Sequence, residues 1–102
     1  MPLPYEMDFS TLEHCTETLR AIGHPLRLQI VLHLHAKERM SVTEIHEELD
    51  VEQAVASHHL RIMKDKNIVL VKREGKSSFY SLAKVEYFDL VKILLHVYEI
   101  KF

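Results

Sequence analysis

Cysteine is nearly absent, with Cys15 standing alone among 102 residues. One thiol excludes an intrachain disulfide and any CxxC redox or zinc pair, which fits a reducing compartment and leaves open only a bridge between subunits. Glycine is almost as scarce, at two residues, so no glycine-rich phosphate loop exists. Neither a nucleophile elbow nor an HExxH run occurs, and no enzyme is expected. No apolar run is long enough to span a bilayer and no signal-peptide pattern is present, so a cytoplasmic protein without a membrane partner is expected. An excess of positive charge is missing too, since the formal net charge is −2.

What remains is ordinary globular composition, 47% hydrophobic and 27% charged. That reads as a single domain over residues 1–102, small enough to complete its core by oligomerising. The charges, however, are segregated. Met1 to Ala56 carries 4 Lys/Arg against 10 Asp/Glu, Ser57 to Lys76 carries 6 against 2, and Ser77 to Phe102 carries 3 of each. A positive segment within an acidic chain sets up a dipolar field that draws a polyanion to one face. A solvated charged helix and turn is the plainer alternative.

Residues 1–9, with Pro2 and Pro4, read as an irregular tail. Ser10-Thr11-Leu12-Glu13 has the form of a capping box opening a first helix that runs to about Ala21 and stops at Gly23. Pro25 suits the first turn of a second helix, Leu26 to about Ala36, in which Leu26, Ile30, Val31 and Leu34 share a face. Leu28 and Leu32 extend its apolar surface, so it should be the central helix. Arg27 falls in that apolar arc and is expected to snorkel or to pair with a carboxylate, as a structural residue. Lys37 to Met40 reads as a polar connector.

Residues 41–65 have the form of a helix-turn-helix. Ser41-Val42-Thr43-Glu44 is a second capping box, Ile45 and Leu49 are an i, i+4 apolar pair, and Asp50-Val51-Glu52 makes the turn. From Gln53, at about 100° per residue, Gln53, Ala54, Ser57, His58 and Arg61 occupy one side while Ala56, His59, Leu60 and Met63 occupy the other. The first side is small and hydrogen-bonding, with an arginine, as reading base edges requires. Lys64 follows on the same helix. His58 and His59 point about 100° apart and cannot chelate together; His59 reads as a hydrogen-bonded histidine of the packing face.

Residues 68–82 give two β-prone runs joined by Glu74-Gly75-Lys76-Ser77, a hairpin whose Lys72, Arg73 and Lys76 would contact phosphates or the minor groove. A hairpin edged with lysines is also simply a soluble edge. The last helix, residues 84–100, carries Tyr87, Phe88, Leu90, Val91, Ile93, Leu94, Leu95, Val97 and Tyr98, leaving a narrow stripe of Asp89, Lys92, His96 and Glu99. One small domain cannot bury that much apolar surface. The expected fold is therefore mainly α with a β-hairpin wing, a winged helix-turn-helix made dimeric through its first and last helices. Two copies would meet operator half-sites about one DNA turn apart.

The run Gly23-His24-Pro25-Leu26-Arg27-Leu28, the spacing Gln53, Ser57, His59-Leu60, and Arg73-Glu74-Gly75-Lys76 before an aromatic strand resemble the ArsR/SmtB-type transcriptional repressors. The resemblance implies a dimeric winged-helix repressor that binds double-stranded operator DNA and leaves it when a ligand binds. Its arsenic and heavy-metal site is a C-x-C where this chain has Ser41-Val42-Thr43. Of its zinc site in the last helix, His96 and Glu99 resemble one half, but Ala83 and Val85 occupy the other. Its thiol sensors use a cysteine pair. No cofactor and no metal site of the family's usual kinds is expected, and the effector is left open. Two alternatives stand beside this reading. One is a metal sensor assembling His14, Cys15, His96 and Glu99 at the dimer interface; the other is a protein-interaction module using the apolar last helix.

Overall fold

Every other helix of this chain packs against the second one. In the computed structural model, which describes residues 3–102, helix α1 (Phe9–Ile22) is followed at once by α2 (Pro25–Lys37). Pro2, and with it the start of the expected tail, lies outside the described residues. The Gly23 N–H donates to the Leu19 carbonyl at 2.8 Å and closes α1. A Cβ on Gly23 would sit 2.9 Å from that same oxygen, so the close approach requires glycine. His24 then caps α2 through Nδ1, which accepts from the Leu26 N–H at 3.0 Å, and Pro25 occupies the first turn. Ile30, Val31 and Leu34 are fully buried, and α2 touches α1, α3, α4, α5 and strand β3.

The remaining elements are β1 (Met40–Ser41), α3 (Val42–Leu49), α4 (Gln53–Asp65), β2 (Val69–Glu74), β3 (Ser77–Leu82) and α5 (Glu86–Val97). The three strands form one antiparallel sheet in the order β1-β3-β2. Among the described residues, no helix is long and apolar enough to cross a membrane.

Three local expectations are corrected. The Ser10-to-Glu13 capping box is not used: α1 starts at Phe9 behind Asp8, which makes no side-chain cap bond. Lys37 to Met40 is more than a polar connector. Glu38, at φ 67° and ψ −47°, makes a tight γ-turn in which the Arg39 N–H donates to the Lys37 carbonyl at 2.8 Å. That turn carries Met40 into the core, where it pairs with Tyr80 as a third strand. The last helix is shorter than 84–100, because Glu99 takes a left-handed φ of 63° and turns the chain away.

Glu99 belongs to a set. Asp50 (φ 54°), Asn67 (φ 58°) and Glu99 each end a helix, and each time the next N–H reaches five residues back. Val51 donates to the His46 carbonyl at 3.1 Å, Ile68 to Met63 at 2.8 Å and Ile100 to Leu95 at 3.1 Å. These are Schellman endings, usually built on glycine. Asn and Asp are the side chains that tolerate the left-handed region best.

Candidate nucleic-acid interface

The capping box of α3 forms as its sequence implies. The Glu44 N–H donates to Ser41 Oγ at 3.1 Å, while the Ser41 N–H donates to Glu44 Oε1 at 3.0 Å. These bonds, the one from the Ser41 backbone first, hold the Glu44 carboxyl below the usual carboxylate range. Ile45 and Leu49 anchor α3 in the core, so the short turn through Asp50 sets α4 across it.

Helix α4 divides as its periodicity predicts. Ala56, His59, Leu60 and Met63 are buried, whereas Gln53, Ala54, His58, Arg61 and Lys64 are exposed and Ser57 is half-buried. Leu60 and Met63 lock the helix to the core, which leaves the other face as a fixed, open array of donors and acceptors. Lys66, just beyond it, is held by Glu17 of α1 at 3.3 Å. Among the described residues, Arg61, Lys64, Arg73 and Lys76 make no ion pair.

The wing is a hairpin with Val69 opposite Leu82 at its base and Glu74 opposite Ser77 at its tip. Gly75 takes φ +61° at the first of two loop positions, the requirement of a II′ turn. Lys72, Arg73 and Lys76 are all exposed. Sequence patterns gave no hint of Arg39, thirty-five residues from its partner. Its guanidinium donates twice to Glu74, at 3.2 and 2.8 Å, and lies 4.0 Å over the Phe79 ring. The Arg39 hydrogen bond, chiefly, keeps the Glu74 carboxyl below its ordinary range. The one acid at the wing tip is thereby neutralised from the side. Lys72, 3.9 Å from the same carboxylate, stays largely free.

Arg27 does not pair with a carboxylate, contrary to one expectation. Nη1 lies 3.1 Å from His59 Nδ1, Nη2 donates to the Arg20 carbonyl at 3.4 Å, and Nε is buried without a partner. His59 is buried on the packing face and hydrogen-bonded there. Burial, followed by the charges of His24, Arg27 and His58, holds its pKa below the usual imidazole value.

His14 and Cys15 lie exposed on α1, which packs on α2 and α4, while His96 lies in the last turn of α5 and Glu99 just beyond it. Among the described residues of one chain, no three His, Cys, Asp or Glu side chains converge to hold a metal ion. Ser41 Oγ is engaged as a cap at the position where the C-x-C site would begin. Leu90, Ile93, Leu94 and Val97 of α5 are exposed, as are Phe9, Leu12 and Leu19 of α1.

Residues 22–72 match the family described as a helix-turn-helix domain. Over 90 residues the chain is 30% identical to the transcriptional repressor PagR of Bacillus anthracis, covering 88% of this chain and 90% of that protein. It is 39% identical over 72 residues to the transcriptional repressor SmtB of Mycobacterium tuberculosis, covering 71% of this chain and 53% of that protein. The crystal structure of PagR superposes with a TM-score of 0.76 at 31% identity, covering 85% of this chain and 99% of that one. Fold and relatives thus define a winged helix-turn-helix transcriptional regulator that binds DNA. The chain belongs to the ArsR/SmtB-type repressor family.

Proposed function

We propose that the protein represses transcription as a homodimer, laying α4 in the major groove of an operator and the wing along the neighbouring backbone. Gln53, Ala54, Ser57, His58 and Arg61 face the base edges, and Lys64, Lys72, Arg73 and Lys76 contact phosphates. The observation that carries this reading is the partition of α4, one face locked in the core and the other exposed and free of ion pairs. The apolar residues left exposed on α5 and α1 support the dimer, since a two-fold contact would cover both faces at once. The role is that of a non-enzymatic regulator.

Fluorescence anisotropy on a duplex from the region upstream of its own gene, titrated across salt, tests the assignment. Affinity should fall steeply with salt, because each phosphate contact releases counterions. Replacing Lys72, Arg73 and Lys76 together by alanine should flatten the logarithmic slope by about 3 per protomer. An unchanged slope would remove the wing from the interface.

A further inference from the structure

Behind the reading face, three polar side chains meet at a part-buried junction. His59 comes from α4 and is 6% exposed, Arg27 comes from α2, and His24 caps α2 where it leaves α1. Their hydrogen bonds fix where the protons are. A guanidinium can only donate, so His59 Nδ1, 3.1 Å from Arg27 Nη1, must be an unprotonated acceptor. A backbone N–H can likewise only donate, so His24 Nδ1, 3.0 Å from the Leu26 nitrogen, is unprotonated as well. His59 is then neutral, with its proton on Nε2, and its ring centroid lies 4.3 Å from that of His24.

Nothing in this junction balances an added positive charge. No carboxylate hydrogen-bonds to any of the three side chains among the described residues. Arg27 makes its short bond to His59, a 3.4 Å bond to the Arg20 carbonyl, and leaves Nε buried without a partner. Arg27 from α2, His24 from the α1–α2 junction and His58 from α4 itself bear on His59, and any charge that these three carry is positive.

We propose that His24, Arg27 and His59 are positioning residues that hold α4 at its reading angle only while the His59 imidazole is neutral, so that acid loosens the helix and releases DNA. The proposal rests on α4 being the reading helix. A proton on His59 Nδ1 would set an N–H against the Arg27 N–H at 3.1 Å and place two cations side by side in a part-buried site. The direction in pH follows from the lowered pKa of His59. The unfolded chain takes up this proton first, near 6.5, so the stabilisation is complete above that value and is lost as pH falls through the lower folded value. Below the folded value, one linked proton makes DNA affinity fall by up to about tenfold per pH unit. Added charge on exposed histidines acts in the opposite direction, so the comparison must be with a variant at this site alone.

The test is DNA affinity of the full chain, by anisotropy on the upstream duplex at constant ionic strength, from about pH 8 to about pH 5. His59→Asn keeps an acceptor for Arg27 but does not titrate. Wild type should lose affinity more steeply than His59→Asn towards the acid end of that range, by up to about tenfold per pH unit, and nitrogen NMR at neutral pH should show His59 as the Nε2–H tautomer. Parallel pH profiles, or a proton on Nδ1 of His59, would overturn the proposal. If His59→Asn does not fold, amide protection in the wild type decides: acid must lower it in α4 more than in α5, and equal loss refutes the idea. Tautomers and protection do not involve DNA. If they come out as stated while Arg61→Ala binds the duplex as wild type does, the reading of α4 as the DNA helix has failed instead.

Discussion

Replacing Ile93 by glutamate is expected to split the proposed dimer into folded monomers. Ile93 stands on α5 with 66% of its surface exposed in one chain, beside Val97 at 69%. Burying an entire isoleucine side chain is worth about 1.5–3 kcal/mol, so covering the exposed two-thirds contributes about 1–2 kcal/mol. A two-fold interface contains the residue twice, which doubles the contribution to about 2–4 kcal/mol per dimer. At about 1.4 kcal/mol per decade, dimer dissociation should strengthen roughly thirty- to several-hundred-fold, before the cost of desolvating the carboxylate is added. Sedimentation velocity over a concentration series would read this directly, with circular dichroism confirming that the monomer keeps its helices. The protomer core does not use Ile93, so folding should survive. A wild type that stays monomeric at the highest concentrations, or an Ile93→Glu protein that dimerises like wild type, would refute the interface.

Local geometry sets four stability predictions. Ser41→Ala removes the hydroxyl that accepts from the Glu44 N–H and should lower unfolding free energy by about 1 kcal/mol in urea titrations. Glu44, Glu74 and Glu48, the last through a hydrogen bond from Lys37 Nζ at 2.6 Å, all have lowered pKa values, so their contribution is complete above the ordinary 4.5 and is lost as pH falls through the lower folded values. Urea midpoints should accordingly drop below about pH 4.5, and less so in Glu44→Gln. At Asn67, whose left-handed φ of 58° turns the chain so that buried Ile68 follows, alanine should cost about 1 kcal/mol and glycine little or nothing. Gly23→Ala should lower the thermal midpoint, since the new Cβ meets the Leu19 carbonyl oxygen, a backbone atom that cannot move aside cheaply.

What the sequence made legible was set by short-range periodicity and capping. The two faces of α4, the Ser41 box, the Gly23-Pro25 junction and the Gly75 turn each follow from residues within a few positions of one another, and each appears where expected. What it concealed depended on distant partners. Met40 looked like part of a polar link because its neighbours are charged, and only the edge of β3 makes it a strand. Arg27 invited a carboxylate because burial of a cation usually demands one, yet its partner is a histidine on another helix. The Ser10 box failed because Asp8 and Phe9 had already begun the helix, and no rule of spacing excludes an earlier start. For the site, residue types and helix face could be read, whereas the neutralisation of Glu74 by Arg39 required the sheet to bring them together.

The central claim is that the exposed face of α4 reads bases, and the specificity ratio measures it most directly. Arg61→Ala and wild type should be titrated by anisotropy on the upstream duplex and on a scrambled duplex of equal length and composition, at fixed salt. Arg61 is exposed on that face and makes no ion pair among the described residues, so its removal should leave the fold intact. Wild type should prefer the upstream duplex, and Arg61→Ala should lose about tenfold or more of that preference, the worth of one good base contact, while binding the scrambled duplex nearly as before. Equal preference in both proteins would contradict the account.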